Sequence, residues 1–149
     1  MWQSLVGSRS RPVINWVERG AVRKFAEAIG DLNPLYLDEE VAKKSRYRRL
    51  IAPPTFPQTF DYGTIEGLRL PESGLIHGEQ RFDYVRPLFV GEEIHCYRVF
   101  QDMYEKKGSR GRLTFLVFSR VGEDRKGETL FKTRDVIIVT ETVLKEWTE

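Results

Sequence analysis

Apolar residues in the first third of the chain recur at the spacing of one helical face. The i, i+3, i+4, i+7 pattern is formed by Val22, Phe25, Ala26 and Ile29. This pattern predicts a helix over about residues 20–30 that ends at Gly30. Further along, acids in residues 38–40 precede bases at residues 43–44, the order that a helix dipole prefers, and predict a second, short helix there.

A third helix is predicted to begin at Thr55. The stretch Thr55-Phe56-Pro57-Gln58 combines a capping hydroxyl, a proline in the first turn and a glutamine three residues after the cap. Because Phe60 and Ile65 follow, we expect this helix to be more buried than the other two and to end near Gly67.

From Leu75 onward the pattern changes to apolar runs bounded by glycines and charged turns. These runs predict four strands, at about residues 75–85, 93–106, 111–121 and 129–140. Residues 113–118 and 136–139 are apolar on both alternating faces, which favours central strands. The short turns at 107–111 and 122–127 favour hairpins, so that the last three strands form an antiparallel meander. We therefore predict an α+β domain in which an antiparallel sheet wraps an apolar helix.

Composition limits the classes of protein to which the chain can belong. With 149 residues, 40% of them hydrophobic and 31% charged, the chain fits one globular domain over residues 1–149. A net charge of +2 does not favour nucleic acid as a partner. Because Cys96 is the only cysteine and the two histidines are distant, the sequence predicts no disulfide, no metal site and no cofactor.

The sequence also bears on the cellular location of the protein. Its first residues, MWQSLVGSRSRP, lack a basic segment followed by an apolar run, and no later stretch is apolar enough to span a membrane. We expect a cytoplasmic protein that does not act at a membrane, since a lone cysteine also suits a reducing compartment.

Three ordered motifs resemble those of the MaoC-like dehydratases and their N-terminal-type, FAS1-like relatives. They are Phe25-Ala26 followed by Gly30-Asp31-Leu32-Asn33-Pro34, then Leu50-Ile51-Ala52-Pro53-Pro54-Thr55, then Arg86-Pro87-Leu88-Phe89-Val90-Gly91-Glu92. The resemblance covers about residues 13–140. It implies a hot-dog fold, with a long central helix inside a curved antiparallel sheet, and a dimer whose clefts bind acyl thioesters of coenzyme A or acyl carrier protein. The implied reaction is reversible hydration of a 2-enoyl thioester to the (3R)-hydroxyacyl form.

The resemblance also points to candidate catalytic residues. Active members of the family carry an aspartate, an asparagine two residues later and a histidine five residues after the aspartate. Here Asp31 and Asn33 occupy the first two places, but Tyr36 occupies the third. A phenol with an ordinary pKa of about 10 replaces imidazole poorly as a base at neutral pH. We include His77 as a further candidate, although Asp31 and Asn33 are also typical of a turn and Tyr36 of a pocket wall.

Two segments are candidates for substrate binding. The N-terminus of the third predicted helix, at Thr55 and Phe56, would present backbone N–H groups to the thioester oxygen. The basic run of residues 43–49 contains Arg46, Arg48 and Arg49, which suit the phosphates of coenzyme A or an acidic carrier protein. The same run is also typical of a solvated helix end, and RNA binding is a weaker alternative.

These residues leave three functions open. The replacement at Tyr36 favours a substrate-holding subunit that pairs, as a heterodimer, with a MaoC-like partner carrying the complete motif. A self-sufficient homodimeric acyl-CoA hydratase is the second possibility. The third is a thioesterase on the same fold, in which Asp61 or Glu66 would activate water. Chain length, the carrier and the pathway are not indicated by the sequence.

Overall fold

The computed structural model describes all 149 residues and contains one five-stranded antiparallel sheet with four α-helices. The strands are β1 (Val13–Trp16), β2 (Ile76–Tyr84), β3 (Glu93–Gly108), β4 (Gly111–Glu123) and β5 (Thr129–Thr140). The helices are α1 (Arg19–Ile29), α2 (Pro34–Leu37), α3 (Glu39–Lys44) and α4 (Glu141–Thr148), with 3-10 turns at Gln3–Leu5 and Phe56–Thr59.

The sheet has the strand order β1-β3-β4-β5-β2. Strands β3, β4 and β5 form the antiparallel meander that the sequence predicts, and the four predicted strands are all present. Strand β4 is central, and its residues Leu116, Val117 and Phe118 are at most 1% exposed, which confirms that both faces of this strand are covered. The short strand β1 and helix α4 were not predicted.

Helix α1 agrees closely with its prediction. Gly30 adopts the left-handed conformation with a φ of 70°, and its N–H donates to the carbonyl oxygens of Ala26 and Glu27. Glycine adopts this conformation without steric cost, so the helix ends where the sequence places a glycine. Val22 and Ala26 are buried, but Ile29 is 46% exposed, so the apolar stripe stops one turn before the helix ends.

The helix predicted from Thr55 to near Gly67 is wrong. Only the 3-10 turn Phe56–Thr59 forms, and the chain continues in irregular conformation through residue 70. The Tyr62 hydroxyl donates to the Pro57 carbonyl at 2.6 Å, and the Asp61 carboxylate accepts the Gly63 N–H at 2.8 Å. Gly63 has a φ of 73°, and a Cβ there would lie 2.9 Å from the Arg11 carbonyl oxygen. These local bonds replace the helical ladder that the capping pattern favours.

Two apolar clusters pack against the sheet. The first lies under α1 and includes Val22, Ala26, Phe56, Leu88 and Phe131. The second contains Ile65 and Trp2 and packs on the face of the sheet that carries Phe100, Leu116 and Phe118, which we call the inner face. The ring of Trp2 stacks on Trp147 of α4 with 5.4 Å between centroids, so both chain ends belong to this cluster.

The outer strand β2 is the least covered element of the sheet. Its residues 76–81 are all exposed, and one of its edges has no neighbouring strand. Unpaired backbone groups along such an edge are a template for pairing with another strand.

None of the helices has the length and the apolar run that a bilayer crossing requires.

Candidate functional site

A pocket of about 490 Å³ opens beside helix α2. Its polar and aromatic walls are Asn33, Tyr36, Arg46, Tyr47, Tyr84 and Arg86. Its apolar walls include Leu35, Ile51, Ala52 and Pro87. The fold therefore brings together three of the residues that the sequence indicated, Asn33, Tyr36 and Arg46, beside a lining that suits an acyl chain.

Asn33 forms the N-terminal cap of α2. Its Oδ1 accepts the Leu35 N–H at 3.0 Å, and Pro34 occupies the first helical position. The turn role that the sequence allowed for Asn33 is therefore present. Because the cap uses Oδ1, the Nδ2 amide is the group through which Asn33 could contact a ligand in the pocket.

Tyr36 and Asp31 interact beside this pocket. Tyr36 is only 7% exposed, whereas Asp31 is exposed. Burial, followed by the negative charge and hydrogen-bonding oxygen of Asp31, raises the pKa of Tyr36 above its ordinary value of 10.0. The phenol is therefore protonated at neutral pH and acts as a hydrogen-bond donor, so it lacks the basicity of the histidine that the motif usually carries.

Tyr47, Tyr84 and Arg86 complete the pocket, and sequence reasoning missed all three. The Tyr84 hydroxyl donates to the Pro54 carbonyl at 2.5 Å, and burial raises the pKa of Tyr84. Arg86 forms two hydrogen bonds to the Glu92 carboxylate, at 2.8 and 2.7 Å, and these bonds raise the pKa of Arg86. The third motif contains both partners of this ion pair, so opposite charges six residues apart were the available signal.

The structure divides the basic run between two pockets. The Arg46 Nη2 donates to the Tyr47 hydroxyl at 2.7 Å at the rim of the Tyr36 pocket. Arg48 and Arg49 line a second, shallower pocket of about 230 Å³ with Glu39 and Lys43. Arg48 has a φ of 59°, a conformation that non-glycine residues rarely adopt. The three arginines therefore do not form one cluster.

The predicted row of free N–H groups at Thr55 and Phe56 is absent. The Phe56 N–H donates to the Pro53 carbonyl at 2.9 Å, the Gln58 N–H donates to Thr55, and Pro57 has no N–H. The Phe56 side chain is part of the core. Thr55 retains an N–H without an acceptor in the chain, so an oxyanion contact at Thr55 remains a prediction, whereas Phe56 has no donor to offer.

His77 is not part of the Tyr36 pocket. It lies on β2 and lines a different cavity, together with Asp61 and Arg98. A register shift in β2 between His77 and Glu79 determines which face of the sheet each neighbouring side chain occupies. The sequence gives no sign of this shift. The candidate catalytic set is therefore split within one chain, with Asp31, Asn33 and Tyr36 on one side and His77 on the other.

Cys96 is buried in the first apolar cluster. Burial raises the pKa of its thiol to about 12, so the sulfur is protonated at neutral pH and is not available as a nucleophile.

Solved structures share the fold of this chain. The structure superposes on the C-terminally truncated HadBC (3R-hydroxyacyl-ACP dehydratase) complex of Mycobacterium tuberculosis with a TM-score of 0.72 and 20% identity, covering 91% of this chain and 97% of that chain. It matches the ChsH1-ChsH2 complex of the same organism with a TM-score of 0.72 and 22% identity, covering 87% of each chain. These similarities confirm the hot-dog fold.

The sequence matches the family described as FAS1-like, dehydratase domain region, over residues 4–133. The chain belongs to this family. It is also 40% identical over 99 residues to the UPF0336 protein of Thermobifida fusca (strain YX), a match that covers 62% of this chain and 65% of the relative. The chain thus spans just under two thirds of the length of that relative.

Proposed function

We propose that this protein is a hydratase-dehydratase subunit for 2-enoyl and (3R)-hydroxyacyl thioesters that holds the substrate in a dimer with a motif-complete partner. The observation that carries this proposal is Tyr36, a buried phenol with a raised pKa where the motif usually has histidine. Asp31 and Asn33 keep the chain in the hydratase lineage, but neither of the two histidines of the chain lines the Tyr36 pocket. A reducing cytoplasm suits the single thiol of Cys96.

The pocket can bind a thioester even though its chemistry is incomplete. Leu35, Ile51 and Ala52 provide an apolar wall for the acyl chain. The Asn33 Nδ2 can donate a hydrogen bond to the thioester oxygen, where negative charge develops during water addition, and the Tyr36 hydroxyl can do so when it turns from Asp31 to the substrate. Deprotonation of the attacking water then falls to Asp31 or to the partner.

The edge strand β2 supports dimer formation. Its exposed residues 76–81 and its unpaired edge allow a second hot-dog subunit to extend the sheet across the interface. The two solved structures reported above are each a complex of two named subunits. A heterodimer is therefore the assembly that we propose, with a homodimer as the state of the isolated chain.

Replacing Tyr36 by histidine tests the proposed chemistry. The isolated chain should hydrate crotonyl-CoA slowly, and Tyr36→His should increase kcat by at least about 10²-fold, because a positioned imidazole contributes on the order of 10²–10⁴-fold. Hydration is followed as loss of the enoyl thioester absorbance. Tyr47→His places an imidazole in the same pocket outside the motif, and it should give no comparable gain.

Two results would contradict the proposal. Ordinary enzyme rates for the isolated wild-type chain, abolished by Tyr36→Phe or Asp31→Asn, would identify a self-sufficient hydratase. Steady release of free thiol from saturated acyl-CoAs, dependent on Asp61 or Glu66, would identify a thioesterase.

Charge reversal tests where the carrier binds. We propose that Arg48 and Arg49, with Arg46 at the rim of the Tyr36 pocket, contact the phosphates of coenzyme A or an acidic carrier protein. The double variant Arg48→Glu/Arg49→Glu should weaken the Kd for hexanoyl-CoA at least about tenfold, since a hydrogen bond to a charged group contributes about 1.5–3 kcal/mol. Binding is measured by calorimetry at two salt concentrations.

The matched control reverses two bases that lie outside both pockets. Arg23→Glu/Lys24→Glu on α1 makes the same change in net charge, and these residues are also exposed. If both double variants weaken binding equally, the effect is a general charge effect and Arg48 and Arg49 are not the binding site. Loss of RNA affinity without a change in acyl-CoA affinity would favour the RNA alternative.

A further inference from the structure

A third cavity, of about 370 Å³, lies between residues 58–63 and the inner face of the sheet. The sequence predicted that a helix would fill this space, but the chain forms one 3-10 turn and then runs irregularly. Residues from the unformed helix make one wall, including Phe60, Asp61 and Tyr62, and the inner face makes the other. The cavity is distinct from the Tyr36 pocket, with which it shares no lining residue.

Two arginines point from the inner face into this cavity. Arg98 on β3 pairs with Arg120 on β4, and each lies two residues from an inner-face phenylalanine. The Arg120 guanidinium forms two hydrogen bonds to the Asp135 carboxylate, at 2.9 and 3.0 Å. The Arg98 guanidinium stacks 4.5 Å above the Phe118 ring, and no acidic side chain lies within ion-pair distance of it.

The Nε of Arg98 is the one buried side-chain nitrogen or oxygen in the protein that has no hydrogen-bond partner. Buried polar groups, and charged ones above all, are nearly always paired, because desolvation without compensation is costly. Burial and the positive charge of Arg120 lower the pKa of Arg98, although an arginine remains protonated at neutral pH. The negative charge of Asp135 acts in the opposite direction, so the fold leaves a protonated, partly buried guanidinium that has a nearby negative charge but no direct ion pair.

None of the acids around the cavity forms an ion pair with Arg98. Each carboxylate oxygen of Asp135 accepts two hydrogen bonds. Oδ1 accepts from Arg120 and Gln80, and Oδ2 accepts from Arg120 and Thr133. Glu79 pairs with Arg134 at 3.5 Å, and Asp61 accepts the Gly63 N–H. Asp61 keeps its negative charge, since a backbone N–H does not neutralise it, but no acidic side chain of the cavity forms an ion pair with Arg98, so an anion from outside the chain can pair with it directly.

We propose that this cavity binds a small monocarboxylic acid, with Arg98 as its counter-ion. A carboxylate matches the fork of a guanidinium with two parallel hydrogen bonds. One arginine without an ion pair, beside the three carboxylates of the cavity, suits a single negative charge better than a phosphate dianion. Phe60, Phe118 and Ile137 give the cavity an apolar lining for a short aliphatic or aromatic tail. This site needs no thioester chemistry and does not depend on the proposed hydratase function.

Binding of hexanoate measured by calorimetry tests the proposal, with hexanamide as the uncharged analogue of the same shape. The wild-type chain should bind hexanoate, and hexanamide should bind at least about tenfold more weakly. Arg98→Met should weaken hexanoate binding at least about tenfold, because a charge-assisted bidentate pair is lost. Arg9→Met is the control, since the exposed Arg9 also stacks on an aromatic ring, at 4.4 Å from the centroid of Tyr97, but on the opposite face of the sheet and outside the cavity. It should bind hexanoate as the wild type does.

A titration of the wild-type chain followed by NMR locates the site without any variant. Hexanoate should shift the amide signals of Gln80 and Phe118, whereas those of Tyr36 and Ile51 should stay fixed. Shifts confined to Tyr36 and Ile51 would place the acid in the other pocket and overturn the proposal. Equal affinity of Arg98→Met and wild type, or the absence of hexanoate binding to wild type, would also overturn it.

A second source of the carboxylate is an acidic side chain of another copy of this chain, because His77, Glu79 and Gln80 line the cavity from the edge strand β2. In that case Arg98→Met would convert a dimer to a monomer in size-exclusion chromatography with light scattering, and wild type would not bind hexanoate. This pair of results would overturn the proposal of a free ligand. Binding of hexanoate with an unchanged oligomeric state in Arg98→Met supports it.

Discussion

Adding a purified hot-dog subunit with the complete Asp-x-Asn-Pro-x-His motif to this chain should raise the rate of 2-enoyl-CoA hydration by about 10²–10⁴-fold over this chain alone. The reason is the protonation state of Tyr36. Its raised pKa keeps the phenol neutral, so the Tyr36 pocket of the isolated chain has no imidazole-like base, and the partner supplies one across the interface. The measurement compares kcat for crotonyl-CoA and a longer 2-enoyl-CoA for each subunit alone and for the purified complex.

Variants of both subunits show which chain performs the chemistry in the complex. Asp31→Asn in this chain should leave the rate of the complex nearly unchanged, whereas the same change in the partner's motif should remove activity. The division of labour that we propose would be wrong if Asp31→Asn in this chain reduced the rate of the complex as strongly as the corresponding change in the partner does. It would also be wrong if the partner alone had the same kcat as the complex for both substrates, since a substrate-holding subunit should increase the turnover of the longer 2-enoyl-CoA.

Asp135→Asn should lower the free energy of unfolding by about 3–5 kcal/mol, because it leaves the buried Arg120 without its counter-ion. The two side chains are only 16% and 15% exposed, and the ion pair crosses between β4 and β5 in the middle of the sheet. The asparagine retains the shape of the side chain, so the loss reports charge and hydrogen bonding rather than a cavity. Urea denaturation at one fixed protein concentration measures the change through the midpoint and the slope.

A second ion pair of the same sheet is the matched control. Glu79 on β2 pairs with Arg134 on β5, but these side chains are 49% and 43% exposed. Glu79→Gln should therefore lower the free energy of unfolding by less than about 1 kcal/mol, the range measured for solvent-exposed ion pairs. Equal losses for Asp135→Asn and Glu79→Gln would show that the Arg120–Asp135 pair is screened like a surface pair. A double variant, Arg120→Met/Asp135→Leu, should recover most of the stability, since replacing both partners leaves no unpaired charge.

The local sequence pattern predicted the structure correctly where the interactions that set an element lie within that element or its adjoining turns. Helix α1 ends at Gly30 because the left-handed conformation there suits glycine, and the meander follows from alternation of apolar residues and short turns. The resemblance of the three motifs to the MaoC-like dehydratases was confirmed by the family match over residues 4–133. These features depend on neighbours in sequence, which a sequence displays directly.

Local pattern failed where the competing contacts come from far along the chain. The capping residues at Thr55 favour a helix, but the chain after Phe60 instead packs near the N-terminal segment, where Ser10 donates to the Tyr62 carbonyl at 2.6 Å. His77 was predicted to be a further catalytic candidate beside the motif, yet it lies on β2, next to a register shift, and lines the cavity of Arg98. The sequence did not indicate Arg98 as a site residue, because a charged residue in a strand usually faces solvent.

The sequence by itself determined the class of fold, the four long strands, helix α1 and the replacement of the motif histidine by Tyr36, since each of these is encoded within a few consecutive residues. Only the tertiary structure decided that Asn33, Tyr36 and Arg46 share one pocket, that His77 lies elsewhere, and that Arg98 is left unpaired. The physical reason is that strand register and the path of an irregular segment are set by long-range packing and hydrogen bonds. These interactions determine which side chains meet, and no local periodicity records them.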